Sequence, residues 1–311
     1  MLSRIAESLF WIGRYLERAD GTARILDVYL QLLLEDPWVD ENTACHALLG
    51  VMGGALAPTP DPLTRGDVFA ALAANPNHPA SIAYSLGAAR ENGRRAREVI
   101  NTELWECLNE TRMQLPQQLT LGQAHGFFTW ARQRAALAVG ITESSSNRDE
   151  AFLFFTLGRS LERADMTARL LATRTLTEAS GPSWTAILRS VGAYEAFLRT
   201  YGGAPAAERA AEFLLLDRLV PRALRFASSR ALDCLRQLSP EQTRVGVPGQ
   251  ARRLLGRIAS RLEYQGVDEI IADLPAQMHE VQSGVNRASQ AIGQRYFPSN
   301  PMPSWVGGAA V

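Results

Sequence analysis

Gly13-Arg-Tyr-Leu-Glu-Arg-Ala-Asp-Gly-Thr-Ala-Arg-Ile-Leu26 returns later in the chain as Gly158-Arg-Ser-Leu-Glu-Arg-Ala-Asp-Met-Thr-Ala-Arg-Leu-Leu171. The copies differ only at Tyr15/Ser160, Gly21/Met166 and Ile25/Leu170, so eleven of fourteen positions agree. Two copies set far apart indicate a duplicated helical unit rather than a solenoid, which would repeat at a short fixed period. At 3.6 residues per turn, Gly13, Glu17, Asp20 and Arg24 fall on one stripe, and Gly158, Glu162, Asp165 and Arg169 repeat it. Leu9, Ile12, Leu16, Ala19, Ala23 and Leu26 form an apolar face beside the first stripe, and Phe154, Leu157, Leu161, Ala164, Ala168 and Leu171 do so beside the second. The charged stripes therefore border the core. A further strip, Arg14, Arg18 and Thr22 with Arg159, Arg163 and Thr167, falls on the far side and is expected to be solvated.

Asp20 and Arg24 stand four apart with the acid first, as do Asp165 and Arg169, the favourable order for an ion pair along one helix. Glu17 and Glu162 lack such a partner, so theirs should come from another helix, a ligand or a metal. Glycine in a helix interior costs about 1 kcal/mol against alanine. Gly13 and Gly158 accordingly predict a close helix contact.

These paired segments resemble the bacterial alpha-E domain family, an all-helical group of undetermined activity. The resemblance extends over nearly the whole chain through Leu2-Ser3-Arg4-Ile5-Ala6-Glu7, through Ala89-Arg90-Glu91-Asn92 to Trp105-Glu106, and through Arg148-Asp149-Glu150. It implies a protein partner, namely an ATP-grasp-type protein and a transglutaminase-like protein, in a peptide- or amide-modifying system. No cofactor is expected.

Composition narrows the classes. With 311 residues, 46% of them hydrophobic, the chain can bury a sizeable core. Thirty-two basic residues balance thirty-two acidic ones, so no global field draws nucleic acid or an anionic membrane. Every Lys/Arg position is arginine, which removes a phosphate-loop lysine and a Schiff-base lysine together. Cys45, Cys107 and Cys234 are scattered and read as reduced, buried thiols. The N-terminus lacks a signal-peptide hydrophobic run, and no apolar stretch reaches membrane-spanning length. A cytoplasmic protein is the expectation.

Read in order, the chain predicts helices over 3–35, 41–56, 64–74, 81–112, 120–143, 148–178, 183–201, 206–218, 221–238, 248–265 and 267–295, and no strand. The fold class is all-α: a multi-helix bundle around two pseudo-symmetric repeated helices, with residues 1–297 forming one intertwined unit and 298–311 a Pro/Gly-rich tail, Trp305 included, that is expected to fray. His46, His78, His125 and His279 are dispersed, and His125, close to Phe127, Phe128 and Trp130, reads as a packed residue. Arg94-Arg95-Ala96-Arg97 has acids around it and reads as a solvated helix face. Trp11, Tyr15, Trp105 and Trp130 are placed in the core.

Three readings of the charged stripes follow. In the first they form a structural lock: packed antiparallel, Glu17 would meet Arg169, Glu162 would meet Arg24, and Asp20 and Asp165 would approach near the axis. In the second, Glu17, Asp20, Glu162 and Asp165 form a metal or catalytic site, as carboxylates on facing helices do in dimetal bundles, although neither copy supplies a histidine. In the third, Arg24, Arg169 and the two glutamates hold a small amino-acid or peptide ligand. An enzyme of this kind would use Glu17 and Glu162 as acid/base groups.

Overall fold

In a computed structural model, residues 1–35, 40–53, 61–173, 183–240, 246–247 and 249–297 are described. Every regular element among them is helical. The two copies of the repeat lie in α1 (Ser3–Glu35) and α7 (Glu150–Thr173). Between them come α2 (Glu41–Met52), α3 (Arg65–Phe69) continued by a π-helical turn at Ala70–Ala74, α4 (Ile82–Arg95), α5 (Thr102–Met113) and α6 (Ala124–Ser145). After α7 follow α8 (Trp184–Ser190), α9 (Tyr194–Tyr201), α10 (Ala207–Leu216), α11 (Leu224–Leu238), α12 (Gln250–Tyr264), α13 (Val267–Ala272) and α14 (Leu274–Tyr296). The tail at 298–311, the loop prolines at 58 and 60, and the expected ends of the 41–56 and 148–178 helices fall outside the described residues.

Local sequence explains most boundaries. Thr64 and Asp67 form a capping box at the start of α3, and Thr120 and Gln123 form another ahead of α6. Gly53 ends α2 at φ 71°, a left-handed conformation glycine adopts without strain. Three expected helices are each two. The span 81–112 breaks between α4 and α5, where the Asn101 side chain accepts a hydrogen bond from Leu104 N and starts a new helix. The turn brings Gly93 so close to Leu108 that a side chain on residue 93 would collide with it. The span 183–201 breaks at Gly192 (φ 69°), and 267–295 breaks at Asp273, ahead of Leu274 and Pro275.

Helices α1 and α7 pack along each other at the centre. Helix α1 is further covered by α4, α6 and α8, and α7 by α2, α11 and α14. From Ile5 to Ala23 every residue of α1 is buried, charged ones included. The apolar faces read from both repeats are buried throughout. Trp11 and Tyr15 are buried and stacked with ring centres 5.2 Å apart, while Trp105 and Trp130 are partly exposed and pack at the margin of the core.

The two repeated helices run parallel, and the antiparallel arrangement is not the one adopted. A Cβ added to Gly13 would overlap the carbonyl oxygen of Phe155, and one added to Gly158 would overlap that of Phe10. Gly21 faces Met166, and the N-terminal ammonium of Met1 lies 3.1 Å from Glu150. Partner numbers rise together along both helices. The intervening α2 to α6 carry the chain back to the starting end, which a short loop cannot do.

Candidate functional site

The parallel register places each Glu-Arg dipeptide against the other. Arg163 grips Glu17 with both prongs of its guanidinium, Nε to Oε1 at 2.8 Å and Nη2 to Oε2 at 2.6 Å. Arg18 grips Glu162 likewise, at 2.5 Å and 3.0 Å. Such fork-to-fork pairs are among the strongest hydrogen-bonded contacts in proteins. The arginine one turn earlier joins each: Arg159 lies 3.4 Å from Glu17, and Arg14 lies 2.5 Å from Glu162. Arg14 also donates to Ser289 Oγ at 2.7 Å, and Arg159 reaches Glu143 at 3.2 Å.

The strip Arg14, Arg18, Arg159 and Arg163 is therefore the partner set of the glutamates, and the expectation that it is solvated fails. Arg18 is 2% exposed and Glu162 fully buried. A solvated face is the default for arginine, but a buried glutamate requires cations, and the nearest lie on the equivalent turns of the parallel helix.

The outer pairs form within each helix, as the spacing predicts: Arg24 to Asp20 at 2.9 Å and Arg169 to Asp165 at 2.7 Å. Neither arginine pairs with the opposite glutamate. Each instead donates to a carbonyl at the end of a helix from the other half, Arg24 to Ser190 O of α8 and Arg169 to Val51 O of α2. Carbonyls at helix C-termini lack partners in their own helix and attract cations. Thr22 and Thr167 likewise donate to the backbone just ahead of a neighbouring helix, to Ala80 O before α4 and Arg222 O before α11.

Arg222 was not identifiable as a site residue from the repeat. Its guanidinium bonds Glu17 at 3.0 Å and also Asp20. The corresponding backbone position before α4 is Ala80, which carries no charge, so only Glu17 gains a third arginine. No local signal in the sequence marks Arg222; only the matching threonine contacts reveal its place.

Burial alone would raise the carboxyl of Glu17, yet Arg163, Arg222 and Arg159 together hold it well below the usual range. Burial is likewise outweighed at Glu162, by Arg14 and Arg18, and that carboxyl is lowered as well. Arg18 is raised: burial opposes its charge, and Glu162 overcomes the penalty. A carboxylate held ionised in this way is a poor proton acceptor near neutral pH. Both oxygens of Glu17 and of Glu162 are engaged by arginine, as is Oδ2 of Asp20 and of Asp165, so neither glutamate presents an unbonded oxygen to a cation or a ligand.

The remaining singled-out residues lie elsewhere. Cys45, Cys107 and Cys234 are buried free thiols, and burial pushes Cys45 and Cys234 up to about 11. His125 does not pack in the core: its side chain is largely exposed and its Nδ1 meets Asp27 at 2.9 Å. Arg94, Arg95 and Arg97 are exposed, as expected, and Arg97 also sits over the Trp105 ring. No helix among the described residues is long and apolar enough to cross a membrane.

Comparison with known proteins places this chain in a family. Uncharacterized proteins of Mycobacterium bovis and of two Mycobacterium tuberculosis strains are each 23% identical to the chain over 341 aligned positions. These alignments take in 97% of this chain but only 38% of each relative, so the chain spans well under half the length of those proteins. No solved structure matches. The model of the Alpha-E family, described as a predicted alpha-helical domain with a conserved ER motif, matches residues 1–297. Two Glu-Arg dipeptides, Glu17-Arg18 and Glu162-Arg163, grip one another at the centre of this helical fold, and the chain belongs to the Alpha-E family.

Proposed function

We propose that the chain is a non-catalytic binding component whose Glu-Arg pairs are a structural lock, and that it works beside an ATP-grasp-type protein and a transglutaminase-like protein in peptide or amide modification. In this reading residues 1–297 form one interlocked unit descended from a duplication. The observation that carries the accessory role is the length of the relatives. The same unit is embedded in polypeptides of which it makes up 38%, as expected of a module that acts with another. The family resemblance supplies the identity of that partner.

The lock reading draws support from the full engagement of Glu17 and Glu162 and from their burial at 3% and 0% exposure. An ion-pair cluster of this kind contributes specificity of packing more than net stability, and it holds two helices in one register. The crossed contacts of Arg24 and Arg169 tie each half to a helix of the other. Native co-purification of the full chain from its own cells, with mass spectrometry of the proteins recovered, tests the accessory role. Recovery of an ATP-grasp-type protein in stoichiometric amount is the expected result. Recovery of the chain alone, together with turnover of an amide or peptide substrate by the purified chain, would overturn it.

A further inference from the structure

The central acids are closed off, but the flank of the first repeated helix is not. A hollow of about 370 Å³ lies between α12 and α14, and one of about 570 Å³ lies between α1 and α4 near the end of α5. The second falls within the usual range of small-molecule sites and has the more definite chemistry. Trp11 and Tyr15 come from successive turns of α1, and Tyr84 of α4 stands edge-on to Tyr15 at 6.0 Å. Ala83 and Gly87 keep the α4 side open: a Cβ on Gly87 would come no nearer than 3.8 Å to any neighbour, the nearest being Arg112 Nε.

Charge at this hollow is one-sided once its existing pairs are removed. Glu91 is held by Arg90 and Arg94, and Glu7 is buried and already engaged. Arg95 and Arg112 are exposed, line the hollow, and make no ion pair with another described residue. A neighbouring hollow shares Arg95 and adds Arg97, while its Arg4 and Arg94 are paired with Glu98 and Glu91. In the aromatic wall, the buried indole Nε1 of Trp11 has no hydrogen-bond partner among the described residues, which is uncommon for a buried donor.

We infer that this hollow binds a small organic anion with a flat ring, the anionic group held by Arg95 and Arg112 and the ring lying against the Trp11, Tyr15 and Tyr84 wall. Planar guanidinium groups match carboxylate and phosphate oxygens alike, and aromatic side chains take a ring by stacking or edge contact. Carboxylate and phosphate are thus two sources of one recognised chemistry. The inference does not depend on which protein the chain binds.

Titration calorimetry of the full chain with 3-phenylpropionate and with AMP tests it, using inorganic phosphate and benzyl alcohol as probes that carry one half of the chemistry each. At least one ring-bearing anion should bind at least about tenfold more tightly than either half-probe. Binding of 3-phenylpropionate would identify a carboxylate ligand, and binding of AMP a phosphate. The double variant Arg95→Ala/Arg112→Ala removes two exposed side chains that make no ion pair among the described residues, and it should weaken that probe about tenfold or more without changing the melting temperature. Gly87→Leu should fill the hollow and abolish binding while favouring the α4 helix. Failure of both ring-bearing anions to bind at about 10 mM, equal binding of phosphate or benzyl alcohol, or unchanged binding by either variant would overturn the inference.

Discussion

Replacing Glu162 with glutamine removes a charge and almost no volume from the centre of the molecule. Its carboxylate is fully buried and takes both prongs of Arg18 and the Nε of Arg14, themselves 2% and 6% exposed. In Glu162→Gln two buried guanidinium groups face a neutral amide, and removing one partner of a buried pair costs about 3–5 kcal/mol. With an unfolding entropy of about 2.1 cal/mol/K per residue, the 311-residue chain has a transition entropy of about 0.65 kcal/mol/K, so the melting temperature should fall by about 5–8 °C. Differential scanning calorimetry reads the shift, and far-ultraviolet circular dichroism at 25 °C should remain helical. Arg18→Met alone and combined with Glu162→Gln completes a cycle. The double variant should be more stable than the sum of the single losses implies, by about 0.5–3 kcal/mol. A melting temperature within about 2 °C of the parent, or additive losses, would refute the buried pairing.

Acid should weaken the fold through the same carboxylates. Their folded pKa values lie below the ordinary glutamate value of about 4.3, so their contribution is complete above that pH and is lost as pH falls below it. Urea midpoints should therefore drop steeply on acidification through this range, with a shallower fall for Glu162→Gln; parallel curves would contradict the assignment. Gly13→Ala should destabilise by about 1–3 kcal/mol despite the better helix former, because its Cβ overlaps the Phe155 carbonyl; a neutral or stabilising result in chemical denaturation would remove the close contact. Arg222→Met should cost less than Glu162→Gln, since Glu17 keeps Arg163 and Arg159 and Asp20 keeps Arg24. A larger loss in the same urea assay would make Arg222, rather than the two Glu-Arg dipeptides, the centre of the cluster.

Much of this architecture is legible in the repeat itself. Its period gives two long helices, its glycines predict a contact too close for a side chain, and its stripes border the core as the periodicity requires. The direction of packing is not legible, because a stripe on one helix face meets its copy equally well in either direction. It is fixed by the helices between Glu35 and Glu150, which return the chain to its starting end. The roles of Arg14, Arg18, Arg159 and Arg163 are missed for a related reason. Arginine defaults to the surface, and only a helix buried on every side forces its charges inward. A signal was present nonetheless: these two arginine positions, Arg14/Arg159 and Arg18/Arg163, are repeated between the copies as faithfully as the glutamate. The break between α4 and α5 is hidden by a charge pattern that runs on unbroken, while a single capping asparagine, Asn101, starts the second helix.

The most direct test of the parallel, in-register pair is a distance between the starts of the two repeated helices. Spin labels at Leu2 and Arg148, in a chain whose three buried cysteines are replaced, can be measured by double electron–electron resonance. With Met1 and Glu150 in contact, the account predicts a short distance, that of helix axes about 8–10 Å apart plus the label arms. An antiparallel pair would move the labels apart by about the length of α7, roughly 36 Å for 24 residues. A distribution centred there would contradict the reciprocal grip of Glu17-Arg18 and Glu162-Arg163.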